Sequence, residues 1–490
     1  MNVIKKCMQK SMYICIQSSN CLQKGEIRMT FADIVSKIDG MVWGWAMIVV
    51  LVGTHIFMTV RTGVIQRHLI KGIKLSVSKD ESGGEGEISQ YGALTTALAA
   101  TIGTGNIVGV ATAIISGGPG AILWMWLIGI FGMATKYSET LMSLKYRVQS
   151  KDGRMLGGAM YALERGLGQK WLAVLFALFA AFAAFGIGCM TQSNSIAAAC
   201  EQNYGIPAWI IGIIVAAFVG VVILGGVKSI SRVCERLVPL MAVLYIAGCI
   251  IILIMNYDYI IPAIVLIVKS AFSPQAGFGG TAGFMVAQAV RYGCARGLFS
   301  NESGLGSAPL VAAAAKTKNP VRQSLVSMTG TFWDTVVICL ATGLTLVSSV
   351  LKNPDIAAVM ADKNVLTFAV FAQIPVIGKP IITLALAMFA FSTILGWSYY
   401  GERAAEYLVG PWVIRVYKVL FVIFAFVGTV ASLDVVWNIA DILNGLMVVP
   451  NVIGVLLLSG VLVAETKKYI KDLDKTSDEP VPVVKTKQDK

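Results

Sequence analysis

The stretch TIGTGNIVG, Thr101 to Gly109, interrupts a run of apolar residues with three glycines, two threonines and an asparagine. Glycine costs a helix interior about 1 kcal/mol relative to alanine, so a cluster of this kind needs a reason. It could cradle a phosphate, let two helices pack closely, or break a helix so that backbone polar groups face a ligand. The rest of the chain helps to choose among these.

The 490 residues are 56% hydrophobic and only 14% charged, with a mean hydropathy of +0.73. That balance belongs to an integral membrane protein. Uncharged runs on the order of 20 residues, the length that crosses a bilayer, recur between polar connections. They predict eleven helical spans, centred near residues 50, 104, 130, 185, 216, 246, 298, 337, 391, 424 and 450. Helices are expected because the runs exceed barrel strands in length and lack period-two alternation.

The net charge of +13 reads as topology and not as nucleic-acid binding. Connections after odd-numbered spans, together with the tail from Lys467, carry 27 of the 40 Lys and Arg; the opposite connections carry four, Lys269, Lys352, Lys363 and Lys379. The positive-inside rule then puts the C-terminus in the cytoplasm and, with an odd span count, the N-terminus outside. Nine cysteines without a C-x-x-C pair and only two histidines, His55 and His68, give no metal or disulfide framework, and no cofactor is expected. Residues 1–28 lack a signal-peptide pattern and read as an extension ahead of an alternative start at Met29. Residues 469–490 are charged and contain proline, as a disordered tail would.

With the first span set aside, ten remain. Two tandem units of five insert with opposite orientation, which is the arithmetic of an inverted repeat. Each unit opens on an interrupted span: LAATIGTGNIVGVATAI in the second and YGCARGLFSNESGLGSAP in the seventh. Paired interruptions at corresponding positions point to a transport site at the bilayer midplane. Unwinding near Gly103 and Gly105 would free carbonyls for a small cation. It would also free N–H groups for a carboxylate at the start of the second half-helix, and Asn106 could add an amide oxygen. The spacing G-x-G-x-x-x-G misses the dinucleotide fingerprint by one residue and has no strand before it. Close packing through Gly105-x-x-x-Gly109 remains the plainer alternative.

GALTTALAATIGTGNIVGVATAI, GGPGAILWMW, KYSE, RGLFSNESGLGSAP and AFSTILGWSYYGE together resemble the alanine or glycine:cation symporter family, from about Met29 to Lys468. The resemblance implies an all-α, leucine-transporter-like fold of five plus five inverted helices with one additional N-terminal helix. The expected divisions are 29–80 for the first span and its basic connection, 81–260 and 261–468 for the repeats, and 469–490 for the tail. The implied function is import of a small neutral amino acid, alanine or glycine, with sodium as co-transported ion, in the cell membrane. Protons in place of sodium, or a channel or sensor on the same fold, are the alternatives.

By the same resemblance, Gly103, Thr104, Gly105 and Asn106 would meet the substrate carboxylate. Asn106 and the Thr101 carbonyl would hold one sodium, and the Ala99 and Ile102 carbonyls with Ser392 and Thr393 a second. Phe299, Ser300 and Asn301 would occupy the break in the seventh span, where carbonyls take the substrate ammonium, and Trp397 would wall the pocket. Gln192 is a polar residue placed mid-span, suited to either end of the substrate or to interhelical packing. Asp334 is an acid within a span, suited to the sodium path or to pairing with Arg291 or Arg296. Ser392 and Thr393 could equally bond back to their own helix. Glu139 is expected to pair with Lys136 or Arg147.

Overall fold

A helix starts where the sequence supplies a cap and an apolar run to follow it. Thr30 caps α1 (Phe31–Val42) through a reciprocal bond with Asp33, Ser89 caps α3 (Gln90–Thr101), and Asn319 followed by Pro320 opens α12 (Pro320–Thr331). The structure, a computed structural model, describes residues 30–78, 84–272, 282–358, 363–431 and 434–484. The expected extension at 1–28 lies outside these residues.

After α1 come α2 (Trp45–Arg61) and α3, then a π-helical segment Gly105–Gly109 that runs into α4 (Val110–Gly117). α5 (Ala121–Lys145) leads to strands β1 (Val148–Ser150) and β2 (Met155–Leu156). α6 (Lys170–Phe185) continues through a π segment, Gly186–Met190, into α7 (Thr191–Tyr204), followed by α8 (Ala208–Leu224) and α9 (Gly226–Met255). The second half holds α10 (Ala282–Asn301), α11 (Pro309–Ala312), and α12 continuing through a π segment, Phe332–Cys339, into α13 (Leu340–Lys352). α14 (Gly378–Val409), α15 (Val413–Val430), α16 (Asp434–Leu457), α17 (Ser459–Tyr469) and β3 (Val483–Val484) complete it.

Among the described residues, eight helices are long and apolar enough to cross a membrane, or nine if the bent pair α3 and Gly105–Gly117 is one span. α8 is a further apolar helix of 17 residues. It exposes Trp209, Ile213, Ile214, Phe218, Val221 and Leu224 along one side while burying Ile211, Val215, Val219 and Ile223. In water such a face would be a liability, and in hydrocarbon it is the expected surface.

Two interruptions and three π segments disturb these helices. α3 and the helix after it meet at 52° across Ile102 to Thr104. The π segments widen the turn, so that Val110 N–H reaches Gly105 O and Thr191 N–H reaches Gly186 O, five residues back. Such turns tend to sit at functional sites, and all three lie around the centre of the bundle described below.

The tail, expected to be disordered, is ordered through Val484. β3 pairs in parallel with β1, placing Gln149 beside Val483 and Ser150 beside Val484. Asn319 Nδ2 donates to the carbonyls of Leu473 and Lys475, at 2.9 Å each. Lys145 Nζ lies 2.7 Å from Glu479 Oε2. Charge and proline content describe the tail in isolation and miss these partners far away in sequence.

The hydrogen bond from Lys145 holds the Glu479 carboxyl below the ordinary carboxylate value. A lowered carboxyl contributes stability above its ordinary pKa and loses it as pH falls through the lowered one. Acidification from about pH 7 to about pH 3 should therefore lower the protection of the Gln149 amide, which donates to Pro482 O, measured against the intrinsic exchange rate at each pH. Glu479 is exposed, so the loss should stay below about 1 kcal/mol, and unchanged protection would show that the ion pair does not hold the strand.

Candidate functional site

The break in the second span is held open by its own asparagine. Asn106 Oδ1 accepts from Gly103 N–H at 2.9 Å, and Asn106 N–H donates to Gly103 O at 3.2 Å. The N–H groups of Thr104 and Gly105, at the head of the second half, carry no hydrogen bond among those described. They sit at the positive end of that half-helix, the arrangement that accepts an anion. Gly103 is required by α14, since a Cβ there would lie 2.5 Å from Thr393 Oγ1.

α14 meets α3 at the same level. Thr393 Oγ1 lies 3.1 Å from Ala99 O, and Ser392 Oγ lies 3.2 Å from the same carbonyl. Both hydroxyls also reach Phe389 O, at 3.0 and 2.9 Å. The back-bonding reading and the clustering reading are thus both present in the geometry. Two hydroxyls and a carbonyl, all buried, make a hard oxygen set of the kind that suits a small cation.

Asp334, in the π segment Phe332–Cys339, is fully buried and does not meet an arginine. Arg291 and Arg296 lie over the rings of Tyr292 and Phe299 instead. The carboxylate accepts from Asn106 Nδ2 at 2.7 Å, Ser300 Oγ at 3.0 Å and Thr335 Oγ1 at 2.7 Å. Asn106 therefore ties the interrupted second span to the eighth, its oxygen on Gly103 and its nitrogen on Asp334, and Ser300 of the seventh span reaches the same carboxylate.

The break in the seventh span falls one step later than expected. Phe299, Ser300 and Asn301 form the last turn of α10, and the unwound segment is 302–307, with positive φ at Glu302, Gly304 and Gly306. Glu139 causes the shift. Its Oε2 accepts from the N–H groups of Gly304 and Gly306 at 3.1 and 3.2 Å and from Asn451 Nδ2 at 3.0 Å, while Lys136 pairs with its other oxygen at 3.1 Å. Ser303 N–H goes to Asn301 Oδ1. The N–H groups that would have continued the helix onto the Phe299 and Ser300 carbonyls are diverted, and those carbonyls are released. Arg147, the other expected partner of Glu139, instead donates to the carbonyls of Glu85, Ala313 and Ala315.

These pieces surround a small cavity of about 20 Å³ lined by Thr101, Gly103, Thr104, Gly105, Gln192, Phe299, Ser300, Thr393 and Trp397 from the expected set. Ala100, Ile187, Glu302 and Asn444 also line it. The space is far below the roughly 300–1,000 Å³ of small-molecule sites, so the groups close on one another around little more than the room a water takes. Trp397 is packed against Gly188 of the π segment, where a Cβ would collide with the indole. Asn301 does not line the cavity; its Nδ2 goes to Thr335 Oγ1 at 3.1 Å. Glu302 was legible as an acid within an apolar span, whereas Ile187 and Asn444 carry no local signal. A larger cavity, about 670 Å³, shares Thr104, Gly105 and Phe299 with the first and reaches Gln202 near the end of α7 opposite Lys170.

A family profile described as the sodium:alanine symporter family matches residues 28–483. The sodium/alanine symporter AgcS of Methanococcus maripaludis is 52% identical over 449 residues, covering 90% of this chain and 98% of the relative. The probable sodium/glutamine symporter GlnT of Bacillus subtilis is 34% identical, over 91% of this chain and 92% of the relative. Among solved structures, that of MhsT in complex with L-phenylalanine superposes with a TM-score of 0.59 at 15% identity, covering 81% of this chain and 94% of that one. At that identity the likeness is one of fold.

The Gly188→Ala substitution should push Trp397 into the cavity. Bound substrate should weaken about tenfold or more, read as a raised KM for uptake, with the protein still monodisperse. An unchanged KM would show that the indole does not wall the site.

Proposed function

The chain belongs to the sodium:alanine symporter family, and on that premise we propose that it carries alanine or glycine inward with sodium by alternating access. It is a multi-pass membrane transporter and not an enzyme. The observation that carries the substrate reading is the small central cavity bounded by the broken second span, the last turn of α10 and Trp397. Relatives are named for alanine and for glutamine, so family membership alone leaves side-chain size open, and the tight wall of Trp397 on Gly188 argues for the smaller one.

The Thr104 and Gly105 N–H groups, with Gly103 beside them, take the substrate carboxylate. The released carbonyls of Phe299 and Ser300, with Gln192, take the ammonium. One sodium lies near Asn106, the Thr101 carbonyl and Asp334, and a second near the Ala99 and Ile102 carbonyls, Ser392 and Thr393. Sodium binding orders the unwound backbone, and the substrate then completes a set of partners that neither half supplies alone. Eleven spans, arranged as one leading helix and two inverted units of five, give the two breaks their opposed directions. In the cell membrane the basic connections and the C-terminus face the cytoplasm and the N-terminus faces outward, so the larger cavity on the Gln202 side is the external approach. One sodium charge moved down 100 mV supplies about 2.3 kcal/mol, close to fifty-fold accumulation.

Reconstituted protein should accumulate radiolabelled alanine above equilibrium only with an inward sodium gradient. Proton-driven accumulation without sodium would replace the coupling ion, and uptake that stops at equilibrium would replace symport with a channel. The Thr393→Ala substitution should raise the sodium concentration for half-maximal uptake about tenfold, the scale of one lost hydrogen bond to a charge. Unchanged sodium dependence would remove Thr393 from the ion site.

A further inference from the structure

α16 reaches the central cavity by way of a missing side chain. At Gly186, the first residue of the π segment between α6 and α7, a Cβ would collide with Ala440 of α16. The Gly186 backbone can therefore lie directly against the Ala440 methyl. Asn444 lies one turn beyond Ala440 on the same face, and it is this residue that arrives at the cavity wall.

Asn444 is 2% exposed, and its Oδ1 has no hydrogen-bond partner. Gln192, 4% exposed, lines the same cavity. Its Nε2 donates to Ile187 O at 3.1 Å, which fixes the direction of the amide, and its Oε1 is likewise without a partner. A buried acceptor left unsatisfied is costly. Two of them on one small cavity, beside the released carbonyls at the end of α10, ask for a ligand that brings several donors on a single atom. An alkylammonium group has three.

We infer that Asn444 and Gln192, with a carbonyl from the last turn of α10, form a pocket that counts N–H donors on the substrate nitrogen. The transporter is thereby selective for a primary ammonium over N-methylated or nitrogen-free analogues. This rests on the amino acid symport reading. A site built to accept hydrogen bonds rejects an analogue that lacks a donor more strongly than a hydrophobic pocket rejects an extra methyl, because the analogue leaves buried polar atoms unpaired. N-methylalanine keeps two donors, and lactate, whose neutral hydroxyl takes the place of the ammonium, keeps one and loses the charge.

Proteoliposomes under a sodium gradient test this by competition of N-methylalanine and lactate against labelled alanine. The wild type should prefer alanine to N-methylalanine by about tenfold or more, the scale of one unpaired buried acceptor, and should ignore lactate. Asn444→Leu, similar in shape but without the acceptor, should raise the alanine KM about tenfold and collapse the alanine to N-methylalanine ratio. Asn444→Asp, which keeps an acceptor oxygen, should preserve that ratio. Equal potency of alanine and N-methylalanine on the wild type overturns the inference without any variant. So does a ratio unchanged in Asn444→Leu, or loss of alanine uptake in Asn444→Asp alone, which would make Asn444 a donor to the carboxylate. Failure of the wild type to accumulate alanine at all would instead overturn the symport reading.

Discussion

The bond from Gly103 N–H to the Asn106 side chain is the contact on which the rest of the site depends. Backbone cannot be left unpaired inside a bilayer without a cost of several kcal/mol per group. An unwound segment there needs substitutes for its lost helical partners, and Asn106 supplies one from within the segment. It spends its nitrogen on Asp334, so the second and eighth spans are joined at the level of the break. Glu139 performs the same service for the seventh span, accepting from Gly304 and Gly306, while Lys136 and Asn451 keep its charge company. In each break polar side chains stand in for backbone carbonyls, Asn106 in the second span and Glu139 with Asn301 in the seventh. What each break leaves over is a short list of groups pointing at one small cavity.

Much of this could be read in the sequence because it is local. The break at TIGTGNIVG, the small polar cluster in GLFSNESG, and the adjacent hydroxyls Ser392 and Thr393 are all anomalies against an apolar background. The structure brings most of them to one place. What local reading missed is set by contacts far along the chain. Glu139 moves the seventh-span break from Phe299–Asn301 to the residues that follow, a shift decided by a helix some 160 residues earlier. Asn301 turns away because Thr335 and its own loop claim it. Asn444 sits in an ordinary amphipathic stretch and gains its position from Gly186, more than 250 residues before it. The tail looked disordered because its partners, Asn319, Lys145 and β1, are invisible in its composition.

The π segments connect these observations. Each inserts an extra residue into a turn, which rotates the helix on either side and lets a neighbour approach. The segment Gly186–Met190 does this twice within three residues: Gly186 admits α16 and Gly188 admits Trp397. A single irregular turn thus sets both a polar wall and an aromatic wall of the cavity. The glycines in GIGCM are accordingly constrained by packing from two separate helices, although neither has a positive φ.

The small sheet at the basic end has a consequence for how the protein is made. Its middle strand, Val148–Ser150, leaves the ribosome long before its partner Val483–Val484, which follows the last spanning helix. Throughout synthesis β1 carries an open edge toward the position β3 will take, and exposed edges of this kind invite wrong partners. The basic face is therefore the last part of the molecule to be finished. A chain that ended before Val483 would keep the spanning helices and still leave that face incomplete.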